Sequence, residues 1–240
     1  MKVSIAYIEE PPFYWTAKDR SVTGADIELA DVVLRAIGVT VIEHVSVSFD
    51  EFLPGVRQGR WDMNVPIFVT PERAQHVAFS LPVWALGDGF LVRPGNPKAL
   101  TSYRALAARG DARLGVIAGQ VQAATATVAG VGDSQLVVFK NQPEAIAALV
   151  AGKIDAFAAT AIGSRAEAGT NPAVEAVAHV ASQGVQAPVG AFSFAKDNHA
   201  LLQAMNDQLR RYLGSPNHRT RMARYGITRT EIDAVLSRPR

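Results

Sequence analysis

Gly59-Arg-Trp-Asp-Met-Asn-Val-Pro-Ile-Phe-Val-Thr-Pro-Glu-Arg-Ala-Gln-His-Val-Ala-Phe-Ser80 is the stretch whose reading decides the fold. The glycine closes a helix, because a residue without Cβ enters the left-handed turn at low cost. Trp61 to Val69 then reads as a buried strand, and Thr70-Pro71 turns the chain so that Glu72 and Arg73 emerge at the strand's carboxyl end. In open α/β sheets, small ligands bind at that edge. An arginine there suits a carboxylate, since its planar guanidinium grips both oxygens together. The competing reading makes Arg73 an ordinary surface charge paired with Glu72 or another exposed acid.

Outward from this stretch the same grammar recurs. Gly152-Lys-Ile-Asp155-Ala-Phe-Ala-Ala-Thr160 again follows a helix with a glycine, a basic residue, an apolar residue, an aspartate and a buried strand. Two matching units point to two similar lobes. Before the first unit, Val3 to Tyr7 alternates as a strand, and the loop Ile8-Glu-Glu-Pro-Pro-Phe-Tyr-Trp15 sets three aromatics and two acids beside a rigid Pro-Pro. A helix is predicted from Thr23, with Asp26 completing a capping-box-like start, Ile27, Ala30, Val33, Leu34 and Ile37 on one face, and Gly38 as its stop. Val39 to His44 reads as a strand, and the capping box Ser48-Phe-Asp-Glu51 opens a helix that runs to Gly59, with Pro54 disturbing its regularity.

In the second half, Phe90 to Arg93 is a strand followed by the turn Pro94-Gly-Asn-Pro97. Leu114 to Ala118 and Leu136 to Phe139 are strands, Gly119 opens a helix through Val128, and Asn141-Gln-Pro-Glu144 starts one closed by Gly152. Pro188 to Phe194 returns as a strand with Gly190 at its tight point. Asp197 is expected to cap a helix with the stripe Leu201, Leu202, Met205, Leu209 and Leu213, and Thr228-Arg-Thr-Glu231 opens the last helix. The fold predicted is α/β in two lobes, residues 1–92 plus 193–240 and residues 93–192. Crossings near 90–93 and 190–194 would let the lobes hinge like a clamshell.

Composition removes several classes of function. Across 240 residues, 48 % hydrophobic and 19 % charged content is that of a soluble globule, and no apolar run reaches the ~18 residues of a membrane span. Cysteine is absent, so a disulfide framework and a thiolate metal site are both excluded. The histidines lack metal-ligand spacing, and there is no nucleophile elbow or phosphate loop. No catalytic residue, metal or cofactor is therefore expected. Arg210, Arg211, Arg219, Arg221, Arg224, Arg229, Arg238 and Arg240 crowd the C-terminal end, yet Tyr212, Leu213, Met222, Tyr225 and Ile227 interleave them at helical spacing. That is the pattern of solvated faces on packed helices, and nucleic acid is not expected as a partner. The opening Met-Lys-Val-Ser-Ile-Ala-Tyr enters a strand directly, which reads as a cytoplasmic protein or one whose leader has been removed.

Through Gly24-Ala-Asp-Ile-Glu-Leu-Ala, Gly59-Arg-Trp-Asp62, Thr70-Pro-Glu-Arg73 and Ala78-Phe-Ser80, the chain resembles end to end the periplasmic solute-binding proteins of polar amino-acid ABC importers. Glu10-Pro-Pro-Phe13, Phe68, Pro94-Gly-Asn-Pro97, Asp155 to Thr160 and Tyr225-Gly226 are similar to the branch that binds ectoine and hydroxyectoine. The resemblance implies a monomeric periplasmic receptor whose partners are a small zwitterionic ligand and a membrane permease. It also implies ligand contacts at Glu10, Phe13, Phe49, Pro66, Phe68 and Arg73 in the first lobe, and at Gly119, Gln120, Val121 and Thr160 in the second.

The chemistry of these residues suits a zwitterion. Arg73 would hold a carboxylate with charge-assisted bonds worth about 1.5–3 kcal/mol each. Phe13, Phe49 and Phe68 would present ring faces to a delocalised cation at about 0.5–2 kcal/mol per ring, with Glu10 balancing its charge. The competing reading buries the three rings as core. Two departures from the family pattern stand out. Asp62 to Arg73 is shorter than the usual spacing, with Pro66 where a glycine commonly stands, which leaves the register of Val65 to Phe68 open. Thr160 occupies the place where amino-acid binders carry an aspartate for the α-ammonium. A polar amino acid or a betaine is the alternative ligand, and a cyclohexadienyl-dehydratase-like enzyme, with Glu10 as its acid, is the alternative class.

Overall fold

Lys2–Tyr7 and Met63–Phe68 lie side by side as parallel strands in a computed structural model that describes residues 1–179 and 186–238. The chain folds as two units, Met1–Leu86 with Ala187–Arg240, and Gly87–Gln186. In the first, the sheet order is Val41–Ser46, Lys2–Tyr7, Met63–Phe68, Val189–Phe194, Ala78–Phe79, and Trp84–Ala85 also pairs with Val189–Phe194. The first three strands run parallel, and Val189–Phe194 runs antiparallel to its neighbours. Ile5, Ala6, Met63, Val65, Ala191, Phe192 and Phe194 are buried, the near-continuous apolar composition of strands covered on both faces. Helix Ala25–Ala36 buries Ile27, Leu29, Ala30, Val33 and Leu34, and it packs against helix His199–Tyr212, which buries Met205 and Leu209.

The second unit repeats this topology. Its order is Leu136–Phe139, Leu114–Ile117, Ala156–Thr160, Asp88–Val92, Glu175–Ala178, with the first three strands parallel and the last two antiparallel. The two glycine-basic-apolar-aspartate units do the same work in each. Gly59 and Gly152 take φ of 68° and 72°, stopping helices Phe52–Arg57 and Gln142–Val150. Asp62 Oδ2 then accepts from the Ser4 N–H and hydroxyl, both at 2.7 Å, and Asp155 Oδ2 accepts from the Arg113 N–H at 2.9 Å. Each aspartate therefore clamps the start of the neighbouring parallel strand, a structural role.

Pro66 explains the open register. Ile67 pairs with Ala191 and Asn64 with Ser193, so two residues, Val65 and Pro66, oppose Phe192 alone. This is a β-bulge, and the proline sits where a residue without N–H costs the ladder least. Beyond it, Asn64 Nδ2 donates to Ser193 Oγ at 2.9 Å and restores the cross-strand tie.

Several starts and boundaries differ from the sequence reading. The first helix begins at Ala25 after Gly24, and Asp26 makes no capping bond. Its side chain turns into the core instead. Asp197 does not cap helix His199–Tyr212 either; Asn198 precedes it without a side-chain cap and donates from Nδ2 to the Asp62 carbonyl at 3.4 Å. The boxes at Ser48–Glu51 and Thr228–Glu231 form as read. The chain passes between units at Leu86–Gly87 and Gln186–Ala187, a few residues before the points drawn from the sequence. Asp88–Val92 is thus wholly a strand of the second sheet, and Val189–Phe194 wholly of the first.

Four of the C-terminal arginines, Arg210, Arg219, Arg221 and Arg224, pair with acids of their own unit, while Arg240 lies outside the described residues. Arg221, Arg224 and the Tyr225 hydroxyl converge on Glu28, Arg219 meets Asp233 at 2.5 Å, and Arg210 meets Asp207 at 2.6 Å. Glu28 thereby ties the last helices to the first.

Candidate functional site

Thr70 caps the one-turn helix Pro71–Ala74, its hydroxyl accepting from the Arg73 N–H at 3.2 Å. The turn folds Arg73 back over its own strand. Nη1 donates to the Phe68 carbonyl at 2.7 Å, and the guanidinium carbon stands 5.2 Å from the centroid of the Phe49 ring. Arg73 is 8 % exposed, unlike an ordinary surface charge. Burial draws its pKa down to about 10, opposed by Tyr14 and Glu72, so the side chain is still a cation at neutral pH.

The aromatic loop folds tightly beside it. The Glu10 N–H donates to the Tyr14 carbonyl at 2.8 Å, and the Phe13 N–H donates to the Glu10 carbonyl at 3.0 Å. The Tyr14 hydroxyl donates to Glu10 Oε2 at 3.2 Å. Burial, reinforced by the charges of Glu10 and Asp26, holds the Tyr14 phenol well above its ordinary value, so it stays a donor. Phe13 is 3 % exposed, its ring 6.2 Å from that of Tyr14 and 6.1 Å from that of Trp84. Phe49 and Phe68 are half-buried, and Pro66 is enclosed in the bulge. Phe68 ends its strand, and Glu10, Phe49 and Arg73 follow the carboxyl ends of the three parallel strands.

Trp84 is the residue the sequence reading missed. Its ring meets Phe68 edge-on at 5.2 Å and 82°, and a Cβ on Gly190 would come within 1.9 Å of it. Gly190, noted as a tight point in the sequence, was the one available signal. The indole N–H donates to Asp26 Oδ1 at 3.0 Å, while Asp26 Oδ2 is buried with no hydrogen-bond partner.

Burial, with a lesser push from Glu10, raises the Asp26 carboxyl well above its ordinary value, against the lowering effect of the Trp84 bond. A carboxyl raised in the folded state contributes stability that is fully present below its unfolded pKa near 4 and lost as pH rises through the folded one. Asp26→Asn keeps an acceptor for Trp84 and cannot ionise. Its stability relative to wild type is therefore expected to improve steadily from pH 4 to pH 8, with Glu10 and Tyr14 as the ionisable groups facing the site. Urea unfolding across that range checks this, and a difference independent of pH would show that Asp26 ionises equally in both states.

In the second unit, Gly119, at φ 79°, and Gln120, the N-cap, lead into helix Val121–Val128. Thr160 is buried, and its hydroxyl accepts from the Gly163 N–H at 3.0 Å to cap helix Ala161–Thr170. Gly119, Gln120, Val121 and Thr160 all stand at or just beyond the carboxyl ends of Leu114–Ile117 and Ala156–Thr160. Asp88 pairs in register with Thr160 and accepts from the Tyr103 hydroxyl at 2.9 Å and Gln122 Nε2 at 3.1 Å. Burial raises the Asp88 carboxyl, and these two bonds lower it.

Among known proteins, the chain is similar to a probable amino-acid ABC transporter periplasmic-binding protein, y4tE, of Sinorhizobium fredii. The two are 28 % identical over 240 aligned residues, 97 % of this chain and 79 % of that one. It is similar to the crystal structure of EhuB in complex with hydroxyectoine, with a TM-score of 0.87 and 26 % identity over 99 % of this chain and 91 % of that one. An ancestral arginine-binding protein bound to arginine gives a TM-score of 0.81 and 25 % identity over 93 % and 97 %. The family model of the bacterial extracellular solute-binding proteins, family 3, matches residues 3–226, and the chain belongs to that family.

Proposed function

We propose that this ABC-importer binding protein captures a zwitterionic carboxylate and that its ligand is ectoine or hydroxyectoine. The observation that carries the reading is Arg73, a buried cation aimed by the Phe68 carbonyl and the Phe49 ring. It lies in the same unit as Glu10 and a run of packed aromatic rings. The likeness to the hydroxyectoine complex supports it. Arg73 would take the carboxylate, and Phe49, Phe68 and Glu10 the cation. A bare ammonium leaving water wants several acceptors, whereas a ring amidinium spreads its charge over a surface that suits aromatic faces. In the second unit, Thr160 offers a hydroxyl already engaged as a helix cap.

Thermal-shift screening against ectoines, betaines and amino acids is the first test, since a ligand at 100 times its dissociation constant stabilises the fold by about 2.7 kcal/mol. In competition titrations, ectoine is expected to outbind every standard amino acid, and Phe68→Ala to weaken it by roughly 1–2 kcal/mol through the lost ring face. Displacement of ectoine by an α-amino acid would overturn the assignment. An amino-acid ligand is the second reading, favoured by Asp88, an acid at the strand position paired with Thr160. Under that reading Asp88→Asn, and not Phe68→Ala, is the variant that loses affinity. The proposal includes a periplasmic monomer that binds without turnover. Product formed from a prephenate-like substrate would favour the dehydratase class instead.

A further inference from the structure

We propose that Asp26 is a positioning residue for ligand selectivity, holding the Trp84 indole and, through it, the rings of Phe68 and Phe13. The inference rests on the reading that these aromatics and Arg73 serve the ligand. Asp26 is fully buried at the start of the first helix and grips two separate segments. Its backbone N–H donates to the Phe13 carbonyl at 2.9 Å, and its Oδ1 accepts from Trp84 Nε1 at 3.0 Å. Trp84 in turn lies between Phe68, edge-on at 5.2 Å, and Phe13 at 6.1 Å, pressed against the backbone of Gly190. The indole is thus a wedge whose rotation moves Phe68 and Phe13 together. An apolar side chain at position 26 could fill the same space, yet it would leave the indole N–H buried without an acceptor, and the ring would turn to find one.

The test is a double-mutant cycle with two readouts. The first is the Trp84 indole N–H resonance, assigned by its loss in Trp84→Phe and recorded without ligand. The second is ectoine affinity by calorimetry. Asp26→Asn, which preserves the acceptor, is expected to keep the resonance in place and affinity within about threefold of wild type. Asp26→Leu is expected to move the resonance and weaken ectoine roughly tenfold or more. Combined with Trp84→Phe, it should weaken binding no more than about twofold beyond Trp84→Phe alone, because both remove the same link. Should Asp26→Leu fail to fold, benzothienylalanine at position 84, which replaces the N–H by sulfur, carries the same expectation. Multiplying effects in the double variant, or an unchanged affinity with a shifted resonance, would overturn the proposal. If wild type does not bind ectoine, the ligand assignment falls. The cycle is then run with arginine, where coupling between positions 26 and 84 still decides the role of Asp26.

Discussion

Arg73→Ala is expected to lose at least about a hundredfold in ligand affinity by calorimetry, because truncating one partner of a buried charge pair costs about 2–5 kcal/mol or more. The magnitude follows from position. At 8 % exposure little water reaches the guanidinium, so a ligand carboxylate brought beside the alanine would surrender its hydration for nothing. Arg73→Lys should recover only part of the loss. An ammonium cannot donate to the Phe68 carbonyl, lie over the Phe49 ring and fork onto two carboxylate oxygens at once. Thermal melts of both variants separate this from instability, since the Phe68 carbonyl loses its 2.7 Å donor in either case. Binding within a few-fold of wild type in a folded Arg73→Ala protein would remove Arg73 from the site altogether.

Gly24→Ala is expected to destabilise the first unit more than any other single methyl added along the aromatic loop. At φ 129° and ψ 168° the backbone is in a region open essentially to glycine, and forcing alanine into it costs of order 1–3 kcal/mol. The new Cβ would also lie 2.2 Å from the Phe13 carbonyl oxygen, a backbone atom that cannot swing aside, which adds about 1–3 kcal/mol of overpacking. Relief requires the loop to lift, breaking the bonds from the Ala25 and Asp26 N–H groups to the Pro12 and Phe13 carbonyls, at 3.0 and 2.9 Å. A lower urea midpoint and weaker ligand binding should therefore appear together. Gly38→Ala is the control: nothing lies within 4 Å of a Cβ there, and its φ of 90° leaves backbone strain alone. Equal losses at the two positions would show that approach to Phe13 contributes nothing.

What the sequence determined by itself was set by relations short along the chain. Alternation and apolar runs located the strands, glycines at positive φ stopped the helices before Asp62 and Asp155, and the boxes at Ser48 and Thr228 formed as read. The repeat of that grammar pointed to two similar lobes, and Thr70-Pro71 placed Arg73 at a strand's carboxyl end; that the two sheets share one strand order came from the structure. Only the tertiary structure decided the rest. Asp26 reads as a cap because its distance from Thr23 is right, yet its carboxyl binds an indole 58 residues away. Phe13 is a ring like Phe49 in the sequence, and it is buried because Trp84 and Tyr14 close over it. Pro66 in a buried strand looks like a break until Phe192 is seen to face two residues at once. Trp84 carried no pattern at all, since its partners come from the first helix, the loop before it, a central strand and the returning strand. Period and capping are written in spacings of three or four residues. Which acceptor an indole finds, and which backbone it touches, depends on where distant segments meet, and no local spacing encodes that.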